Sequence, residues 1–128
     1  MISDNYLENK TFVSLKKEIQ NVLSFITVHS IRDDLLIKLK HYRFVDEIYQ
    51  LHTGKHTRWL YKTDHSLKVG GIVTAIKFLD NGTHILLYNS NQKRFVQIKF
   101  DNVFLFQKLT MEEEIILYAQ NNIIIKNI

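Results

Sequence analysis

The sequence of 128 residues contains no cysteine and no proline, and it has only four glycines. Without cysteine the chain forms no disulfide and offers no thiolate to a zinc ion. Without proline its loops lack the residue that restricts backbone φ most strongly. No apolar run of about 20 residues is present, so we expect no helix that crosses a membrane. The first ten positions are polar and partly acidic, which is unlike a signal peptide.

The stretch 67–106 is rich in β-branched and aromatic residues, which fit the pleated surface of a strand. Within it, Asp80, Asn81 and Gly82 form a sequence that adopts the positive φ angles of a tight hairpin. Other polar breaks separate further short apolar segments. Counting one segment upstream, the pattern predicts five strands, at 57–62, 72–78, 85–88, 95–100 and 103–106.

Five short strands suffice to close a small barrel, and closure removes exposed strand edges. We therefore predict a small five-stranded barrel, and an open meander covered by helices is the alternative. Gly70 and Gly71 precede the first strand of the long stretch, where a bulge or a sharp bend is expected.

Helical patterns flank the strands on both sides. Apolar residues recur every three or four positions from Thr11 to Val28 and again from Ile31 to Leu51, as one helix or as two broken near His41. Thr110 and Glu113 have the spacing of a capping box, which begins a C-terminal helix. The fold class is thus α+β in a single domain, with a helical segment at 11–53, the barrel at 57–109 and a helix at 110–122.

The C-terminal tail is strongly apolar and has high β propensity. A free strand of this kind is an aggregation hazard. We therefore expect the tail to pair as a strand, within the chain or across a homodimer, through Ile123, Ile124, Ile125 and Ile128.

The formal net charge of +4 at pH 7 is concentrated between residues 38 and 68, where basic residues outnumber acidic ones by seven to three. Basic side chains that alternate with aromatic ones are typical of a surface that binds phosphates and stacks on bases. The competing interpretation is an ordinary solvated face with Trp59 in the core. The candidate residues for binding nucleic acid or another partner lie in the basic aromatic segment 55–68, here the basic segment, and are Lys55, His56, Arg58, Trp59, Tyr61 and Lys62.

The sequence gives little support for a metal site, an aromatic cage or a catalytic site. His52 and His56 are four apart, as in a helical metal pair, but Gly54 lies between them. An aromatic cage for a methylated lysine would use Trp59, Tyr61, Phe78 and Tyr88. No set of nucleophile, base and oxyanion donor is recognisable, so we predict a protein that is not an enzyme and uses no metal or cofactor. A small hydrolase using the histidines is the least favoured alternative.

Several short motifs are distributed over the segment 42–108, namely Glu47-Ile48, Gly54, Arg58-Trp59, Leu67, Gly70-Gly71, Leu86-Leu87, Phe95 to Gln97 and Val103 to Lys108. With these residues the segment resembles a small SH3-like barrel of the Tudor or Sm type, and more narrowly modules in uncharacterised proteins of giant amoeba-infecting DNA viruses. This resemblance implies a binding module with no catalytic residue, acting in assembly in the host cytoplasm or the virion. The implied partner is a protein or a second copy of the chain, with nucleic acid as the alternative and no membrane.

Overall fold

The computed structural model describes the backbone of residues 7–126 and the side chains of residues 7–122. Helices lie at both ends of this range and six strands lie between them. Short 3-10 turns occur at Leu23–Phe25, Ile48–Gln50 and Phe100–Asn102. In chain order the elements are α1 (Phe12–Val22), α2 (His29–Lys38), β1 (Tyr42–Val45), β2 (His56–Tyr61), β3 (Gly71–Leu79), β4 (Gly82–Asn89), β5 (Arg94–Lys99), β6 (Val103–Lys108) and α3 (Met111–Lys126).

The α+β class is confirmed, with three helices and one antiparallel sheet in the described residues. The sheet has six strands in the order β1-β6-β2-β3-β4-β5, with β1 and β5 at its edges. This is an open sheet with one strand more than the predicted five-stranded closed barrel. The five predicted strands are all present, and the predicted hairpin pairs Leu79 with Gly82 around Asp80 and Asn81.

The prediction of a helix continuing to Leu51 is wrong. Helix α2 ends at Lys38, and Tyr42–Val45 forms strand β1 with alternating burial. The apolar residues of this segment recur at a spacing of three, as in a helix, at Tyr42, Val45, Ile48 and Leu51. In the structure, the side chains of Tyr42–Val45 instead alternate between half-buried and buried, at the strand period of two. Periodicity over so few residues does not separate the two structures.

The chain divides into two compact units. One, here the helical unit, comprises the described residues up to Arg43 and those from Leu109 onward. The other, here the sheet unit, is Phe44–Lys108. The expectation of a single domain stays a prediction.

The core of the sheet unit gathers side chains from all of its strands. Ile98, predicted to face the core, is buried there. Strand β5 and strand β6 both contribute to the same cluster although they do not pair, because the sheet curls around it. The buried members are Val45, Leu51, Trp59, Val73, Ile85, Leu87, Ile98, Val103 and Leu105.

A bulge and a tight approach of backbones shape strand β3. The predicted irregularity near Gly70 and Gly71 takes two forms: Gly70 adopts a φ of +83°, and the pairing register shifts between Val73 and Ala75. A side chain at Gly70 would overlap the backbone carbonyl of Thr57. Glycine is therefore required at this position by conformation and by space.

The helical unit has a smaller core of Leu7, Leu15, Leu109 and Leu117. The predicted capping box is confirmed at the start of α3: the Thr110 N–H donates to Glu113 Oε1 at 2.9 Å, and the Glu113 N–H donates to Thr110 Oγ1 at 3.1 Å.

The predicted strand in the C-terminal tail is wrong for residues 123–126, which continue helix α3. Once a helix is capped, each added residue gains a backbone hydrogen bond, and this outweighs the β propensity of isoleucine. The side chains of Ile123, Ile124 and Ile125 and the whole of Ile128 lie outside the described part of the chain. Their role in self-association stays a prediction.

Candidate functional site

The part of the basic segment that forms strand β2, residues 56–61, has side chains on both faces of the sheet. Alternate residues of a strand point to opposite faces. Trp59 is only 6% exposed and belongs to the sheet core. Its indole ring therefore does not stack on bases, and the interpretation that places Trp59 in the core is the one that fits.

Arg58 is used within the protein. Its Nε donates to the carbonyl of Lys68 at 2.9 Å, which holds the loop after β2 against the strand. Lys68 in turn lies 3.3 Å from Asp64 Oδ2 and 5.7 Å from the ring centre of Tyr61. The N–H of Ser66 donates to Asp64 at 2.8 Å and, as the main cause, lowers the pKa of that carboxyl group.

Two further residues of the basic segment lie close to strand β6. The Lys62 ammonium is 5.5 Å from the ring centre of Phe104, a cation–π contact. Burial lowers the pKa of His56, and the charges of Arg58 and Lys108 lower it further. With Lys55 at the exposed end, the six predicted residues do not form one continuous surface.

The other predicted sites are not assembled in the described residues. No group of three His, Asp or Glu side chains within them could hold a metal ion. An aromatic cage is not formed, because Trp59 is in the core while Tyr88 lies on the opposite face of the sheet and Phe78 is exposed near the hairpin tip. Among the described helices, none combines the length and apolar character needed to cross a bilayer.

The opposite face of strands β3, β4 and β5, here the outer face, carries an exposed aromatic pair. Ile72, Tyr88 and Phe95 are direct neighbours across the three strands. The rings of Tyr88 and Phe95 are 4.9 Å apart, and Phe95 is 59% exposed. The sequence signal for this pair is weak, because it becomes visible only once the register of the strands is known.

A row of polar and basic side chains crosses the same face four residues farther along strands β4 and β5. His84 is the direct neighbour of Lys77 on one side and Lys99 on the other. The His84 ring lies 3.2 Å from Gln97 Nε2 and 3.0 Å from Asn81 Oδ1, which fits the tautomer protonated at Nε2. Neither lysine has a carboxylate partner among residues 7–126.

A third feature is a groove of about 1200 Å³ in the helical unit, here the helical groove. It runs between α1, α2 and α3, and most of its lining is apolar. Lys16, Asp33, Lys40, His41 and Glu114 also border it. Exposed apolar side chains that line it are Phe12, Val13, Ile37, Met111, Ile115 and Tyr118.

Comparison with known proteins returned no match to a family model, a curated protein or a solved structure.

Proposed function

We propose that the protein is a non-enzymatic interaction and assembly module whose helical unit docks onto a second copy of the same chain. The observation that carries this proposal is the contiguous exposed apolar lining of the helical groove. Soluble proteins rarely leave large apolar patches open to water, and those that do generally use them to bind another molecule.

Six apolar side chains that line the helical groove are open to water, with exposed fractions of 39 to 78%. Fully burying one such side chain is favourable by about 1.5 to 3 kcal/mol. A partner molecule that covers the groove therefore gains free energy from the hydrophobic effect.

The chemistry of α3 makes a second copy the occupant that fits best. Met111, Ile115 and Tyr118 lie at positions i, i+4 and i+7, so they form one apolar stripe that can pack against the groove of another molecule. The first turn of α3 is acidic at Glu112 and Glu114. The groove is bordered by cationic side chains, Lys16 on α1 and Lys40 after α2, which complement that charge in a two-fold arrangement.

For the sheet unit we propose an SH3-like module. Strands β2 to β5 follow one another in the sheet, and β6 returns to pair with β2, so five strands follow one path around a single core. A 3-10 turn at Phe100–Asn102 joins β5 to β6. The viral setting, in a virion or the host cytoplasm, belongs to the same proposal and is supported by the sequence resemblance alone.

Nucleic-acid binding through the basic segment is the weaker alternative. Of its two aromatic residues, Trp59 is buried and Tyr61 is packed against the core and Lys68. Arg58 already holds the loop carbonyl of Lys68. Few side chains of the segment could therefore contact a nucleic acid without first losing a contact within the protein.

The dimer is tested by sedimentation velocity on the full chain at high micromolar concentration. Wild-type protein is expected to dimerise, and Ile115→Glu is expected to be monomeric because it places a charge in the groove. Ile116→Glu is the matched control, since Ile116 is the adjacent exposed residue of α3 and does not line the groove. A monomeric wild type, or equal effects of the two substitutions, would contradict the proposal.

A further inference from the structure

The outer face of β3, β4 and β5 has a combination of side chains that the dimer proposal does not use. It carries an exposed aromatic pair, a hydrogen-bonded polar chain and two cationic side chains without carboxylate partners in the described residues. Its residues are Ile72, Lys77, His84, Leu86, Tyr88, Phe95, Gln97 and Lys99.

The charge of this surface is of one sign. Strands β3, β4 and β5 contain no aspartate or glutamate at all. Between residues 71 and 99 four basic residues face a single acidic one, Asp80 in the hairpin turn. Such a surface attracts polyanions, and the backbone of a nucleic acid is a polyanion with one negative charge on every phosphate.

We propose that the outer face binds single-stranded nucleic acid. A base stacks on the exposed face of Phe95 beside Tyr88, and Lys77 and Lys99 contact backbone phosphates. The Gln97 side chain, held at the His84 ring by its amide nitrogen, presents its carbonyl oxygen to a base edge.

The dimensions of the face fit a short segment of one strand. Phe95 and Lys99 are four residues apart on β5, which is roughly 13 Å along the strand, and the three strands together are about 10 Å wide. An area of this size accommodates about four nucleotides, the lower end of the range for small β-barrel domains that bind single strands.

A single strand fits better than a duplex or a peptide. Stacking on Phe95 requires an unpaired base, because the bases of a duplex are already stacked on one another. A basic peptide would be favoured by carboxylates, and strands β3, β4 and β5 contain none.

The binding test is fluorescence anisotropy with labelled oligothymidylate and oligouridylate of about 12 nucleotides, over about 50 to 200 mM salt. The two probes distinguish DNA from RNA as the ligand. Phe95→Ala is expected to weaken binding about 5- to 150-fold. In a plot of log affinity against log salt concentration the slope is negative. Lys77→Ala and Lys99→Ala are each expected to make this slope shallower by about 0.7, because each removes one phosphate contact.

Two control variants separate this face from the rest of the surface. Tyr49→Ala removes an even more exposed aromatic from the turn at Ile48–Gln50, and Lys55→Ala removes a lysine of the basic segment. Both are expected to bind like wild type, and circular dichroism verifies that every variant is folded. The proposal is overturned if wild-type protein binds neither oligonucleotide at the lowest salt, if Phe95→Ala binds like Tyr49→Ala, or if only Lys55→Ala changes the slope.

Discussion

Arg43 and Glu113 form a buried ion pair in the helical unit, with Nε and Oε2 separated by 3.2 Å. The two side chains are only 2% and 7% exposed. The other carboxylate oxygen of Glu113 accepts the N–H of Thr110 at the start of α3. One carboxylate thus caps the helix and neutralises a buried guanidinium.

The charge and the cap of Glu113 can be separated by substitution. Glu113→Gln preserves an oxygen that can accept the Thr110 N–H, but it leaves the guanidinium of Arg43 without its counter-ion. We expect the free energy of unfolding to fall by about 3 to 5 kcal/mol, measured by urea denaturation. Glu112→Gln, at the exposed neighbouring position, should change it by less than about 0.5 kcal/mol. Equal midpoints for the two variants would show that the ion pair does not stabilise the fold.

Gly70 can be compared with Gly54, because both have positive φ but different surroundings. The φ angles are +83° and +79°, and only at Gly70 would a side chain meet another backbone, that of Thr57. Gly54→Ala is expected to cost about 1 kcal/mol from the left-handed conformation alone. Gly70→Ala is expected to cost about 3 kcal/mol or more, because the β2–β3 approach must open as well. Thermal denaturation of the two variants measures this difference, and similar melting temperatures would contradict the close approach.

His56 makes the stability depend on pH in a defined direction. Burial lowers its pKa in the folded protein below the ordinary value of 6.5. As the pH falls below 6.5, the unfolded chain takes up a proton that the folded chain does not, so the free energy of unfolding decreases. The stabilising contribution is complete above pH 6.5 and is lost as the pH falls toward the folded pKa.

The measurement is urea denaturation across that pH range, with His56→Gln as the comparison. The substituted protein should lose less stability on acidification than wild type. If both proteins lose the same amount, His56 is not the group responsible.

The C-terminal tail offers a separate test of self-association. Deletion of residues 123–128 removes four isoleucines and is expected to weaken dimerisation more than it weakens the fold. Sedimentation velocity measures association, and circular dichroism measures the fold of the shortened protein. Unchanged association would assign the dimer to the helical groove alone.

The local chemistry of the sequence was sufficient to predict several structural elements. The turn at Asp80 and Asn81 and the cap between Thr110 and Glu113 each depend on residues within three positions of one another. The five strands of the sheet unit also follow from their β-branched and aromatic residues and the polar breaks between them. The turn and the cap are predictable because the hydrogen bonds that define them close over a few residues, and the strands are predictable because their residue types favour a pleated surface.

Only the tertiary structure decided which side of each strand is covered and which distant residues meet. The sequence indicates that Arg58 and Trp59 point to opposite faces of β2, but the burial of one face depends on strands far along the chain. Gln107 can be buried without an energetic penalty for its amide group, because that group is hydrogen-bonded to His52, 55 residues away. Its Oε1 accepts the His52 N–H, and its Nε2 donates to the His52 carbonyl. Likewise, Tyr88 and Phe95 become an aromatic pair only through the register of β4 and β5. Contacts of this kind depend on the packing of the whole sheet, whereas alternation within a strand specifies only which residues share a face.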